Sequence, residues 1–443
     1  MYENKKIFIL GMARSGFEVA KLLAKHNNEI TITDMKEQNE EDVKVLKELG
    51  VNYIVTDKPD ELLDDSYDVL VKNPGIIKSH KCVVKAKELD MKVINEVEVA
   101  GTFLPDVRIA GITGSNGKTT TTTLIYNILE KAGLPVHLGG NIGYPVSSLV
   151  ERVKENDILV LEISDHQLVD MYDFKTDISV LTNLYQNHLD FHENSYDNYK
   201  NTKKKIFNGH TDKELAIINN GNEDVLKLVN DIPSKKITFS SEVESDIYIK
   251  DDYIVYNNEK IININDIMLQ GKHNYENAMC AIIVCKNLGV SNDVINEVLT
   301  TFGGVEHRIE YVRTLNKRDF YNDSKSTNTD STVIAVNSFK RPTILIMGGL
   351  DRGHSFDNLN EYMTNVKLIV CYGETKERIS EWCKSLNIKC IIKDNLIDAT
   401  NISYENSSEG DVILLSPGCA SWDQYKCFED RGNEFKETVN KLN

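Results

Sequence analysis

The chain has 443 residues, 41% of them hydrophobic and 27% charged, a globular composition too long for one core and suited to about three domains. Lys plus Arg number 51 against 68 Asp plus Glu, a net charge of −17. That balance excludes broad binding to nucleic acid or an anionic membrane, so any polyanionic ligand must be held by a local cluster of donors and cations.

No stretch approaches the roughly 20 apolar residues of a membrane helix; the run 278–285 is the kind of short buried segment found in cores. The start MYENKKIFILGM carries no signal-peptide pattern, and the 8 cysteines include no C-x-x-C pair, which suits reduced thiols. A cytoplasmic enzyme is expected. In chain order, short apolar runs alternate with helical patterns, the signature of parallel sheets flanked by helices. The first hundred residues read as strand KIFILG, a helix from about Arg14 to Lys25, strand EITITD, and a helix around Val43 to Leu49. Gly101 to Pro105 marks a first junction and Gly303-Gly304 a second, predicting domains 1–102, 103–304 and 305–443. The polar, Asn-rich patch from Ser240 to Asn265 predicts hairpins at an edge of the middle domain. In the last third, TILIMGG, LIVCYG, CIIKD and DVILLSP are strands, each followed by a helical pattern. The predicted class is α/β in three domains: a Rossmann-like N-terminal domain, a central P-loop ATPase domain with a parallel sheet, and a Rossmann-like C-terminal domain.

The sharpest signal is Gly111-Ile-Thr-Gly-Ser-Asn-Gly-Lys-Thr-Thr-Thr121, between strand VRIAG and a helix over 118–131. Glycines let successive N–H groups point into one concavity, and the helix N-terminus adds partial positive charge. Gly114, Ser115, Asn116, Gly117, Lys118, Thr119 and Thr120 are therefore candidate triphosphate ligands, with Lys118 for the terminal phosphates and the Thr119 hydroxyl for magnesium. The spacing is G-x-x-G-x-x-G-K-T, with Ile112 where the strict pattern has glycine. Such a loop predicts an ATP site without separating kinase, ligase and motor.

A triphosphate site needs carboxylates at the ends of neighbouring parallel strands. Glu162 ends the apolar run 158–161 and is the candidate magnesium ligand; Asp165 either shares that site or caps the next helix. After strand ISVLTNL, His188, Asp190 and His192 alternate as transition-metal ligands can, but no cysteine accompanies them. In the following segment Tyr199, Lys203, Ile206 and Phe207 share one helical face, so Lys203 points inward while Lys204 and Lys205 do not. A semi-buried lysine has a lowered pKa and is chemically available.

These pieces, in this order and along the whole chain, resemble the Mur ligase family of ATP-dependent amide-forming enzymes. The resemblance is carried by Gly271-Lys-His-Asn274-Tyr-Glu-Asn277, Glu306-His307-Arg308-Ile-Glu310, Asn322-Asp323-Ser-Lys325-Ser-Thr327-Asn328 and Ser416-Pro-Gly-Cys-Ala-Ser421-Trp-Asp-Gln-Tyr425. The last two motifs are similar to the branch that joins D-glutamate to UDP-N-acetylmuramoyl-L-alanine in peptidoglycan precursor synthesis. The resemblance implies an ADP-forming reaction in which ATP phosphorylates the substrate carboxylate and the D-glutamate amine attacks the acyl phosphate. It implies two magnesium ions, with Thr119, Glu162, His188 and Lys203 as ligands, Lys203 carrying a carbamate, and ATP as co-substrate. It further implies Asn274 and Asn277 at adenine, His307 and Arg308 near the phosphates or ribose, and Asp323 at the ribose. Lys325, Thr327, Ser421 and Phe428 match the D-glutamate site, and Asn141 a muramyl-alanine contact. The G-x-A-x-x-G variant Gly11-Met-Ala-Arg-Ser15-Gly16 matches the UDP loop, with Asp34 near uracil, and Asn73 is a further candidate substrate-binding residue. The remaining implications are a monomer that binds no nucleic acid and does not insert into membranes.

Four places depart from the family pattern: Asp165-His166 for a Ser and an aromatic, Asn187 for an acidic residue, Asn73 for a serine, and Arg352 for a lysine. Rival readings are a folylpolyglutamate synthetase, a Mur ligase of different selectivity, or a nucleotide-binding regulatory protein. The intact set Lys118, Glu162, His188 and Lys203 argues against the last.

Overall fold

The apolar runs Lys6–Leu10 (β1), Glu29–Asp34 (β2), Asn52–Val55 (β3), Val69–Lys72 (β4) and Lys92–Ile94 (β5) pair into an all-parallel sheet ordered β3-β2-β1-β4-β5. This is seen in a computed structural model that describes residues 2–443. The helix Arg14–Ala24 follows β1 as expected. The next helix, Glu40–Glu48, starts earlier than its apolar pattern, because the Asn39 side chain accepts from the Glu41 and Asp42 N–H groups and caps it there.

A second sheet contains Arg108–Thr113 (β6), Val136–Gly140 (β7), Ile158–Glu162 (β8), Ile178–Leu181 (β9), Leu215–Asn219 (β10), Lys235–Ser240 (β11), Ile247–Lys250 (β12), Tyr253–Tyr256 (β13) and Glu259–Asn263 (β14). Its order is β14-β13-β12-β11-β10-β9-β6-β8-β7. Strands β8 and β9 are buried at every position, which is why they read as continuous apolar runs and not as alternating ones. The Asn-rich patch forms the antiparallel pairs β12–β13 and β13–β14 at one edge. The apolar run 278–285 lies in the helix Lys272–Asn287, where every one of its residues is buried.

Both sheets belong to one compact unit that ends at Phe302, and buried polar contacts join them. Lys72 forms an ion pair with Asp170 at 2.7 Å and donates to the Ile76 carbonyl at 2.8 Å. Glu96 accepts from the Val146 and Ser147 N–H groups, and Glu98 from those of Tyr172, Asp173 and Phe174. Burial pushes the Glu96 carboxyl above its ordinary value.

The second unit, Gly303–Asn443, is built on Glu310–Leu315 (β15), Arg318–Asn322 (β16), Thr343–Gly348 (β17), Val366–Tyr372 (β18), Cys390–Ile392 (β19) and Val412–Leu415 (β20). The order is β15-β16-β20-β17-β18-β19, parallel except for β15. Helices Lys376–Ser385, Leu396–Glu405 and Phe428–Lys441 follow β18, β19 and β20. The segment after β17 differs from expectation: it is a 3₁₀ stretch, Asp357–Asn365. Its Asp and Asn side chains compete for backbone hydrogen bonds, and it is anchored by Leu359 and Met363 in the core.

Candidate functional site

At the C-terminal edge of the first sheet the chain turns from β1 into the helix Arg14–Ala24 through Gly11, whose φ is +92°. A Cβ on Gly16 would lie 2.0 Å from the Gly11 carbonyl oxygen, so this turn closes only with glycine in the helix. Asp34, ending β2, accepts from the Met12 N–H at 2.9 Å, and the Asn73 amide reaches the Ser15 hydroxyl at 3.4 Å. Gly11, Ser15, Asp34 and Asn73 are thus brought to one edge, with the Asp34 carboxylate bracing the turn.

The phosphate loop is held by the segment after β9. Ser115 N–H donates to the Asn183 carbonyl, Asn116 N–H to the Asn183 side chain, and the Thr182 hydroxyl to the Asn116 carbonyl. The Ser115 hydroxyl donates to the Tyr185 carbonyl at 2.9 Å and lies 2.7 Å from the Tyr199 hydroxyl. The helix Lys118–Lys131 begins at Gly117, φ +81°, where a Cβ would meet the Asn277 side-chain oxygen at 2.3 Å. That oxygen accepts from Thr121, and the Asn277 amide reaches the Asn274 side chain at 3.3 Å, so both asparagines belong to the loop's surroundings. Lys118 Nζ donates to the Gly114 and Ser115 carbonyls, each at 2.9 Å, and thereby arches over the loop. Thr119 and Thr120 follow in the first turn of the helix. The sequence did not single out Thr182 and Asn183, although their polar side chains directly follow a buried strand.

Glu162 emerges buried from β8. Its Oε1 accepts from the Asn141 amide at 2.6 Å, while Oε2 is buried with no hydrogen-bond partner. Leaving a buried carboxylate oxygen without a hydrogen-bond partner is costly. Ser164, not Asp165, caps the short helix that follows, in a reciprocal capping box with Gln167. Asp165 is instead the anionic centre of a buried cluster: Oδ2 lies 3.0 Å from His188 Nδ1 and 2.9 Å from His192 Nε2, and Oδ1 lies 3.2 Å from Lys203 Nζ. Burial would raise its carboxyl, but hydrogen bonds from His166, His188 and His192 and the Lys203 charge hold it well below the usual carboxylate range.

The metal-capable group is therefore not the alternating set His188, Asp190 and His192. Ligand atoms of Asp165, His166 and His188 lie within 4.8 Å of one another; Asp190 is exposed outside this group, and His192 turns Nε2 to Asp165 while its Nδ1 is buried without a hydrogen-bond partner. The backbone explains this: His188 has a left-handed φ of +49°, which breaks strand alternation. Lys203 is buried as its helical face predicts, along with Tyr199, Ile206 and Phe207. Lys204 pairs with Asp231, and Lys205 donates to the Val169 carbonyl. Besides Asp165, Lys203 Nζ reaches the Thr113 hydroxyl at 3.2 Å. Burial and the Lys118 cation pull its amine down to about 7, against the opposing pull of Asp165. Glu162 Oε2, buried without a hydrogen-bond partner, is an oxygen donor of the kind a hard divalent cation takes.

In the second unit, His307 and Asp323 are buried beside one another's backbone. His307 Nδ1 lies 2.9 Å from the Asn322 amide, a contact that makes Nδ1 the acceptor. Asp323 accepts from the Ser326 and Ser416 hydroxyls and, at 3.2 Å, from the Ile309 N–H, next to Arg308. Burial pushes its carboxyl up to about 6 despite these bonds. Lys325 Nζ stands 5.9 Å over the Phe428 ring, and the Gly418 N–H bonds to the Ser326 carbonyl, which ties the Thr327 turn to the loop carrying Ser421. Arg431, wholly buried and not anticipated from sequence, donates to the Ser324 hydroxyl and carbonyl and to the Cys419 carbonyl. Its signal was a lone arginine on the apolar face of the last helix. Arg352 stacks over the exposed Trp422 at 4.8 Å.

Against known proteins, three family models match: the Mur ligase MurD-like N-terminal domain over residues 5–95, the Mur ligase middle domain over 112–285, and the Mur ligase glutamate ligase domain over 307–419. A UDP-N-acetylmuramoylalanine--D-glutamate ligase of Geobacillus sp. (strain WCH70) is 42% identical, across 100% of this chain and 98% of that one. Its namesake in Staphylococcus aureus (strain MW2) is 41% identical, across 98% and 96%. Among solved structures, UDP-N-acetylmuramate-alanine ligase MurC from Thermotoga maritima superposes with a TM-score of 0.59 at 18% identity, covering 98% of this chain and 99% of that one; it speaks for the fold alone. Full-length identity at this level and a match to each of three successive domains go beyond a shared fold: the chain belongs to the Mur ligase family, a family of ADP-forming ligases.

Proposed function

We propose that this enzyme joins D-glutamate to UDP-N-acetylmuramoyl-L-alanine, with ATP converted to ADP and phosphate, in cytoplasmic peptidoglycan precursor synthesis. The observation that carries the reading is the buried Glu162, with one oxygen held by Asn141 and the other without a protein partner beside the phosphate loop. The names of the relatives at 41–42% identity support the choice of substrates.

In this reading residues 1–102 bind the UDP moiety through Gly11, Ser15, Asp34 and Asn73, residues 103–304 bind ATP, and residues 305–443 bind the amino acid. Gly114 to Thr120 cradle the triphosphate, and Lys118 leaves the loop carbonyls to take the terminal phosphates. Asn274 and Asn277 hold adenine, and His307, Arg308 and Asp323 are ATP ligands by resemblance to the family. Thr119, Glu162 and His188 would hold two magnesium ions together with Lys203, whose neutral amine would add carbon dioxide to give a carbamate and a proton. Magnesium, when bound, neutralises the charge that accumulates on the transferred phosphoryl group. Asn141 orients the muramyl-alanine carboxylate for phosphorylation to an acyl phosphate. Lys325, Thr327 and Ser421 grip the D-glutamate carboxylates against the Phe428 wall, and its amine displaces phosphate. A monomer is sufficient for this chemistry.

The test is phosphate release from ATP and magnesium with UDP-N-acetylmuramoyl-L-alanine, comparing D-glutamate, L-glutamate and no amino acid. Turnover with D-glutamate alone is expected. Turnover with another acceptor, or with a folate, would replace the substrate assignment and leave the ligase.

A further inference from the structure

Three cysteines of the second unit meet at one edge of its sheet. The register of β18 and β19 pairs Ile369 with Cys390 and Cys371 with Ile392, so Cys371 and Cys390 are diagonal neighbours on one face. Their sulfurs lie 3.4 Å apart. Cys371 Sγ is also 3.3 Å from the Lys376 carbonyl, at the start of the helix Lys376–Ser385, which carries Cys383. Cys371 and Cys383 are buried, whereas Cys390 is half-buried on a three-residue edge strand. Hydrogen bonding with its neighbouring thiols holds the Cys390 thiol below its ordinary value.

We propose that Cys390 and Cys371 are a reversible oxidation site that forms an intramolecular disulfide on reaction with a small hydroperoxide. The Cys390 thiolate attacks the O–O bond; an S–O bond forms, and hydroxide leaves and is protonated to water. The Cys371 thiol then attacks the sulfenic sulfur, the S–O bond breaks, and the second oxygen leaves as water with the thiol proton. Two thiols lose two electrons and the peroxide gains them. The sulfurs must close from 3.4 Å to about 2.05 Å. No part of the ligase reading is needed for this site.

The experiment treats the full-length protein with hydrogen peroxide, blocks residual thiols by alkylation, and maps peptides without reduction. The expected result is a Cys371–Cys390 linked peptide, loss of two of the 8 alkylatable thiols, and recovery of both with dithiothreitol. Cys390→Ser, at a half-buried position, should give no linked peptide and leave the Cys371 thiol alkylatable after unfolding. A link from Cys390 to Cys383, conversion of Cys390 to a sulfinic acid without a link, or 8 unchanged thiols would each overturn the proposal.

Discussion

Asp165 and Lys203 form an ion pair sealed from water, with Oδ1 3.2 Å from Nζ and side-chain exposures of 2% and 0%. The pair holds the amine as a cation, while burial and Lys118 favour its neutral form. A carbamate on Lys203 would place a second anion against Asp165, so the two must share a divalent cation or the His188 and His192 donors.

Occupancy of the carbamate should therefore respond to Asp165. In carbon-13-labelled bicarbonate, the carbamate resonance is expected to grow as pH rises through about 7, the Lys203 amine value, and to be larger in Asp165→Asn than in the wild type. A smaller resonance in Asp165→Asn would show that the aspartate supports the adduct. Lys203→Ala should abolish turnover, with partial rescue by short-chain carboxylates. The sign for stability follows from the same shift. Folded Lys203 loses its proton near 7 and the unfolded residue near 10.5, so its burial penalty is full below pH 7 and fades as pH rises through that window.

Glu162→Gln keeps the shape and one acceptor but removes the charge at the oxygen that has no protein partner. Manganese binding followed by electron paramagnetic resonance should weaken by at least about 10-fold, with a parallel fall in turnover. Unchanged metal affinity would remove Glu162 from the ligand set.

Lys72 and Asp170 tie the first sheet to the second within one unit, at 2.7 Å and almost without solvent. Lys72→Met leaves a buried carboxylate alone and should cost about 3–5 kcal/mol in chemical denaturation. Adding Asp170→Leu should recover most of that loss, because the penalty belongs to the unpaired charge. Failure of the double variant to recover would locate the cost in packing.

Asp323 gives the second unit a pH dependence of the opposite sense to that of Lys203. Its folded carboxyl lies near 6 and its ordinary value at 3.8, so its folded-state advantage is full below 3.8 and lost as pH rises through about 6. Relative to Asp323→Asn, the wild type should lose up to about 3 kcal/mol between pH 4 and pH 7. Parallel curves for the two proteins would refute the shift.

The phosphate loop was legible because its chemistry is local: glycines, a lysine and a helix start lie within eleven consecutive positions of a strand–loop–helix unit. The inward face of Lys203 was equally legible from helical periodicity. Asp165 was only half legible, as a cap or a site member. Its place among His188, His192 and Lys203 depends on residues 23 to 38 positions away. The alternation His188–Asp190–His192, already set aside for want of a cysteine, is interrupted by a left-handed residue. Arg431 was missed because its partners are carbonyls and a hydroxyl, which carry no sequence pattern.

By itself, the sequence determined the α/β class, several of the strands, the phosphate loop and the family, since propensity, periodicity and motif spacing act over a few residues at a time. Only the tertiary structure decided which charges face one another: Asp165 with Lys203, Lys72 with Asp170, and Glu162 with an oxygen left for a cation. The physical reason is that a charge's partner and its desolvation are set by approach in space between distant segments, and that approach leaves no local trace in the chain.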